Sequence, residues 1–240
     1  MDFKNLTFYR QKINSTTGQT KDAYELLLRG GGPSNRRFPQ AVYEQIITRH
    51  CAHSEYSKWL LETLRRLLDR HPQTHYALNL DHQELEYQET FAFLEALHDY
   101  HQQLSIEITE TLPYHRKGAY YESINVDAFE RIASMGYQIA LDDIGQGMNS
   151  LGNLFAVKPY ISRVKFSLVH FRTFLNQGEL EALVLLFAQI SASLEKEFVV
   201  EGIEDEETAK WLEDHQITLQ QGYFYDCPRS IPQNSKVQEE

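Results

Sequence analysis

Much of what would place a 240-residue chain quickly is missing here. There are only two cysteines, Cys51 and Cys227. Two are too few for a disulfide framework, so a reduced, cytoplasmic setting is the default expectation. No apolar run approaches the roughly 20 residues of a membrane-spanning helix. A polar stretch follows Met1, so neither a signal peptide nor a membrane partner is expected. Basic excess is lacking too: 23 Lys and Arg stand against 34 Asp and Glu, a net charge of −11. A duplex nucleic-acid partner is excluded on that ground, because phosphate neutralisation dominates such binding. A small anionic ligand stays compatible where bound metals offset the acidic field. No Gly-x-Gly-x-x-Gly follows the first strand, which withholds support from a dinucleotide fold. Low-complexity tracts and internal repeats are also absent from the sequence.

What is present is an alternation. Leu6 to Ile13 and Ala23 to Leu28 read as strands joined by a polar loop containing Gly18, so the first is expected antiparallel to the second. Further strands are predicted at His75 to Leu80, Leu104 to Thr109, Tyr137 to Leu141, Tyr160 to Phe166, Phe198 to Val200 and Ile217 to Leu219. Helical periodicity covers Gln40 to His50, Glu55 to Arg70, Phe91 to Tyr100, Tyr120 to Met135, Glu179 to Leu194 and Glu206 to Asp214. Strands alternating with helices argue for parallel β-α units. With seven or eight strands and no linker, an α/β barrel is the leading architecture and an open doubly wound sheet the runner-up. Residues 1–232 are expected to form one domain, with 233–240 a frayed tail. His50 and His53, flanking Cys51, read as a partly exposed helical cluster, since no fourth metal ligand is apparent.

The informative feature is where polar residues fall. One strand after another ends in acid, amide or lysine: Glu25 in YELLLR, Asn79 in YALNLD, Glu107 and Glu110 in LSIEITE, Asp142 and Asp143 in IALDDIG, Lys165 in RVKF, Glu201 and Glu204 in VVEGIE, Gln221 in LQQGY. A lone Glu at a strand end is usually a solvated cap, and an Asp-Asp before Gly is often a turn. A series of such endings in one chain is different, because the C-terminal strand ends of an α/β barrel converge on one face. Gathering carboxylates there is costly without compensating charge. Mg²⁺ or Mn²⁺, which prefer oxygen ligands, would supply it.

In order and spacing these motifs resemble the EAL-domain series EALLR, NLS, EITE, DDFGTG, IKID, EGVE and QGY, from about Gln11 to Pro228. The resemblance implies a modified TIM-like (β/α)8 barrel with an antiparallel first strand, and hydrolysis of cyclic di-GMP to linear pGpG. It implies two ions, Mg²⁺ or Mn²⁺, with Ca²⁺ inhibitory. By resemblance, Glu25, Asn79, Glu107, Asp142, Asp143 and Glu201 are metal ligands or acidic site residues. Glu25, Asp143 and Lys165 would take the catalytic roles, Lys165 by holding the attacking water. Arg29 would grip a ligand phosphate, with Gln11 and Gln221 beside the substrate. Glu110 and Glu204 would hold the loop and ligands in place. A homodimer is also implied, and a regulatory protein partner is compatible.

The match departs at identifiable places. Asp81 replaces the Ser of NLS, and Ile144, Gln146, Met148 and Asn149 replace the Phe, Thr, Tyr and first Ser of the loop after the paired aspartates. Ser167 stands where IKID has Asp. A catalytically silent cyclic di-GMP receptor or partner-binding module therefore remains the alternative to the hydrolase. An unrelated metal-dependent barrel enzyme is the third class.

Overall fold

Leu6–Ser15 (β1) runs antiparallel to Ala23–Gly30 (β2), in register from Leu6 opposite Gly30 to Ile13 opposite Ala23. The computed structural model describes residues 3–18, 22–30, 37–115 and 124–231. Six strands follow in parallel array from β2: His75–Leu80 (β3), Leu104–Ile108 (β4), Ile139–Leu141 (β5), Arg163–Ser167 (β6), Glu197–Glu201 (β7) and Leu219–Gln220 (β8). The far end of β1 then pairs antiparallel with β8, Asn14 opposite Gln220 and Ser15 opposite Leu219. That second pairing closes the sheet into a mixed, TIM-like α/β barrel and rules out the open doubly wound sheet. Arg229–Ser230 (β9) lies against Tyr9 and Arg10 of β1.

The core sits between barrel and helices. β4 is buried along its whole length, as a strand covered on both faces must be. The helix His50–Arg70 buries Leu60, Leu64, Leu67 and Leu68, the spacing that keeps one face of a 3.6-residue helix inward. Gln177–Ser193 starts with a reciprocal cap, in which Asn176 accepts from the Glu179 backbone and Glu179 accepts from the Asn176 backbone. Glu206–Asp214 begins where Asp205 accepts from the Thr208 amide. Among the described residues no helix is long and apolar enough to cross a membrane.

Several boundaries differ from those expected. The second long helix begins at His50 rather than Glu55, since Arg49 is the one extended residue between it and Gln40–Thr48. β6 begins at Arg163 rather than Tyr160, because the Tyr160 amide closes a turn onto the Val157 carbonyl. The helix expected from Tyr120 is Val126–Ser134, capped by Asn125, and residues 120–123 lie outside the described ones. So does the expected tail, 233–240. His53 corrects the partly exposed cluster. It is wholly buried, with its ring 4.5 Å from that of Tyr87 and Nε2 3.5 Å from Glu84. His50 is exposed and pairs with Glu89 at 2.9 Å.

Candidate functional site

Strand register decides which side chains meet. Glu25 on β2 is level with Ala77 on β3, two residues short of Asn79, and Asn79 is level with Glu107 on β4. Glu107 is level with Ala140, two short of Asp142. Ala140 is level with Arg163, two short of Lys165, and Lys165 with Val199, two short of Glu201. Val199 is level with Leu219, two short of Gln221, and Gln11 lies opposite Glu25. Every step is zero or two residues. Side chains alternate with period two, so all of these project from the same face of the sheet. In a closed barrel that face is the interior, and each step carries the line towards the C-terminal mouth.

Lys165 occupies the centre, wholly buried. Its Nζ lies 2.5 Å from Glu107, 2.5 Å from Glu201, 3.1 Å from Asp142 and 3.5 Å from Glu25. Burial would push its ammonium pKa down, but the surrounding carboxylates outweigh that and hold it well above the usual value. One lysine does not satisfy so many acids. Burial pushes Glu107 up to about 7 against the pull of Lys165, and it raises Asp142 and Glu201 as well. Glu25 alone moves down: burial opposes its ionisation, yet Lys165 and hydrogen bonds from Asn79 and Gln221 prevail.

Glu25 is held from both sides. Asn79 Nδ2 donates to Oε1 at 2.7 Å and Gln221 Nε2 to Oε2 at 2.6 Å. Gln221 Nε2 also lies 3.3 Å from Gln11 Oε1, and Gln11 Nε2 donates to the Asp226 carbonyl at 2.9 Å. Asp226, missed in the sequence, is buried, accepts from the Lys12 amide at 3.0 Å and pairs with Arg229. It ties the segment after β8 back onto β1.

The donor set fits divalent cations. Glu25, Glu107 and Asp142 bring ligand atoms within 4.8 Å of one another, and so do Asp142, Asp143 and Glu201. Asp142 belongs to both groups. Asn79 Oδ1, Glu107 Oε1 and Asp143 Oδ1 are buried and accept no hydrogen bond among the described residues. Buried oxygens of that kind are destabilising unless something positive faces them. Hard oxygen donors around shared carboxylates are what Mg²⁺ or Mn²⁺ takes.

The loop from Asp142 to Asn149 docks on the end of β4. Asp143 adopts a left-handed backbone, φ 46°, and burial together with Asp142 pushes its carboxyl up to about 7. Ser167, at the end of β6, opposes that rise. The Met148 amide donates to the Glu110 carbonyl at 2.8 Å, and Gly147 passes so close that an added Cβ would stand 2.1 Å from that oxygen. Glu110 thus meets the loop through its backbone. Asn149, named from the sequence only as a departure in this loop, is buried in it beside His82, which the sequence did not mark. A cavity of about 300 Å³ adjoins the cluster, lined by Asn79, Glu110 and Asp142 and also by Arg29, Tyr43 and Tyr114. Arg29 therefore shares the cavity with the acids. Glu204, expected to steady loop and ligands, is exposed and lies 3.5 Å from Arg172.

The family model of the EAL domain matches residues 3–228. The probable cyclic di-GMP phosphodiesterase PdeB of Escherichia coli (strain K12) is 25% identical over 170 residues, 69% of this chain and 31% of its own length. The chain spans less than a third of the length of the curated relatives it matches. The PaMucR phosphodiesterase in complex with c-di-GMP superposes with a TM-score of 0.74 at 20% identity, covering 95% of this chain and 98% of that one. A standalone versatile EAL protein from Vibrio cholerae O395, in its c-di-GMP-bound form, gives 0.69 at 19% identity, covering 95% and 94%. At those identities the structural likeness is one of fold.

Proposed function

Because the chain belongs to the EAL domain family, we propose that it is a metal-dependent phosphodiesterase that opens cyclic di-GMP to linear pGpG. The observation that carries the proposal is the pair of acidic groups sharing Asp142, with buried oxygens left over for cations. Glu25, Asn79, Glu107, Asp142, Asp143 and Glu201 would hold Mg²⁺ or Mn²⁺. When bound, such ions lower the pKa of water and neutralise charge building on phosphoryl oxygens.

The side chains divide the remaining work. Lys165 is an ammonium, a donor without acceptor capacity, so it orients the attacking water rather than taking its proton. Asn79 and Gln221 keep Glu25 ionised and fixed in direction. Arg29, in the adjoining cavity, presents a planar fork suited to a phosphate. Water adds to one phosphorus in line, the bond to the 3′ oxygen breaks, the proton the water gives up ends on that oxygen, and the ring opens. A homodimer fits this reading, as in the wider family.

A receptor that binds cyclic di-GMP without turnover is the second reading, favoured by Ser167 in place of a carboxylate beside Asp143. Purified protein incubated with cyclic di-GMP and Mn²⁺, followed by chromatography for pGpG, separates the two. Product formation that disappears in Glu25→Ala supports the hydrolase. Binding without product supports the receptor, and product surviving in Glu25→Ala overturns the ligand assignment.

A further inference from the structure

Asn149 stands where the family has a serine and makes contacts that a single short hydroxyl cannot. Its side chain is wholly buried. Nδ2 donates to the Ile108 carbonyl at 2.8 Å and to the Asp142 carbonyl at 2.5 Å. Oδ1 lies 3.2 Å from His82 Nε2. With both amide hydrogens turned to carbonyls, only the amide oxygen faces the imidazole, so His82 carries its proton on Nε2 and donates. A serine has one hydrogen to give and reaches less far, so it cannot tie both carbonyls to the loop at once; without Asn149 the Ile108 carbonyl keeps only the Asp142 amide, at 3.0 Å.

The three contacts reach three separate barrel strands. Ile108 directly follows Glu107 at the end of β4, Asp142 directly follows β5, and His82 lies three residues past Asn79 beyond β3. One amide therefore spans the strand ends that carry Asn79, Glu107 and Asp142. The loop is anchored on both sides of it, by the Gly145 amide on the Asn149 carbonyl at 2.8 Å and by Asn153 Nδ2 on the Met148 carbonyl at 2.7 Å.

We infer that Asn149, held by His82, is a positioning residue that fixes the spacing of Asn79, Glu107 and Asp142 and thereby sets how tightly this cluster binds a divalent cation. The inference rests on the reading of that cluster as a cation site. Asn149 itself offers the ion no atom, because its amide is fully engaged with the strand ends.

Calorimetric titration of the metal-free protein with Mn²⁺ tests this without recourse to turnover. Asn149→Asp keeps the shape but aims a carboxylate at two carbonyls, and it should weaken Mn²⁺ binding by about tenfold or more, the usual effect of losing a residue that orients metal ligands. Asn149→Ser should lie between it and the parent. His82→Phe keeps a ring beside Phe129 but removes the donor and should also weaken binding, while His82→Gln, whose amide can donate, should recover much of it. Should Asn149→Asp fail to fold, the two His82 variants carry the test alone. Unchanged Mn²⁺ affinity in the folded variants, whatever their melting temperatures, overturns the inference and leaves Asn149 a packing residue. Glu25→Ala serves as the control: loss of binding there, with none in the Asn149 and His82 variants, defeats this inference alone. Undiminished binding in Glu25→Ala defeats the cation-site reading beneath it.

Discussion

Lys165 Nζ lies 2.5 Å from Glu107 Oε2, and neither side chain has any exposure to solvent. The lysine is the only cation in contact with four carboxylates among the described residues. Replacing it with methionine leaves buried acids facing one another. Breaking a buried ion pair by removing one partner typically costs about 3–5 kcal/mol. Lys165→Met is therefore expected to unfold at distinctly lower denaturant than the parent in EDTA, and to recover a large part of that loss in Mn²⁺. Equilibrium denaturation with and without metal reads both effects. An unchanged midpoint in EDTA would show that the lysine does not neutralise the cluster.

How much of this was legible beforehand follows from period and parity. Each acid or amide of the cluster ends an apolar strand, and an apolar run interrupted by a charge is visible in one dimension. Register then did the rest, since steps of zero or two keep every such residue facing inward. The contacts of Asn149, His82 and Asp226 were not legible, because their partners come from distant segments brought near only when the barrel closes. β9 carries no periodic signal: two exposed residues make a strand only because the edge of β1 lies free beyond its pairing with β8. The short helices Leu151–Val157 and Leu168–Phe171 are less than two turns long, so no amphipathic pattern could develop. His53 misled for a related reason. Its burial depends on Glu84 and Tyr87, which lie in another segment.

Gly147 gives a sharper test of the loop. Its φ is +42°, and a Cβ would stand 2.1 Å from the Glu110 carbonyl oxygen, so alanine forces the loop away from β4. Asp142 and Asp143 move with it. A misplacement of about 1 Å in a reacting group can cost about 100-fold in rate. Gly147→Ala is expected to lower kcat by about that factor while circular dichroism shows the barrel intact. Parent-like kcat in the alanine variant would mean that the loop's seat on Glu110 is irrelevant to chemistry.

Arg29→Lys addresses the substrate rather than the ions. Arg29 lines the cavity next to the cluster, with one Nη1 hydrogen on the Leu28 carbonyl at 2.9 Å. A lysine keeps the charge and loses the planar fork. A charge-assisted hydrogen bond is worth about 1.5–3 kcal/mol, so KM for cyclic di-GMP should rise by about tenfold or more, with kcat less affected. Steady-state kinetics at saturating Mn²⁺ separates the two. A fall in kcat with KM unchanged would place Arg29 in the reaction rather than in binding.

Ser167 is the position at which this chain can be turned back towards its family. It ends β6 level with Glu201 on β7, and it projects to the same face as Lys165, two residues before it. It acts on Asp143, whose carboxyl burial and the neighbouring Asp142 push up to about 7. A carboxylate placed there has opposite consequences with and without cations. In metal-free protein, Ser167→Asp adds a like charge to an under-neutralised cluster and should lower the melting temperature. With Mn²⁺ present the same group is one more hard oxygen beside Asp142, Asp143 and Glu201. The Mn²⁺ concentration for half-maximal turnover should then fall, by about tenfold if the new oxygen ligates directly as one charge-assisted contact. Melting curves in EDTA and activity against Mn²⁺ concentration measure the two arms on one variant. A serine that merely fills space predicts lower stability in both conditions and no gain in Mn²⁺ sensitivity. A serine that has replaced a cation ligand predicts the crossover, and only the crossover ties cation binding at the second group to this single substitution.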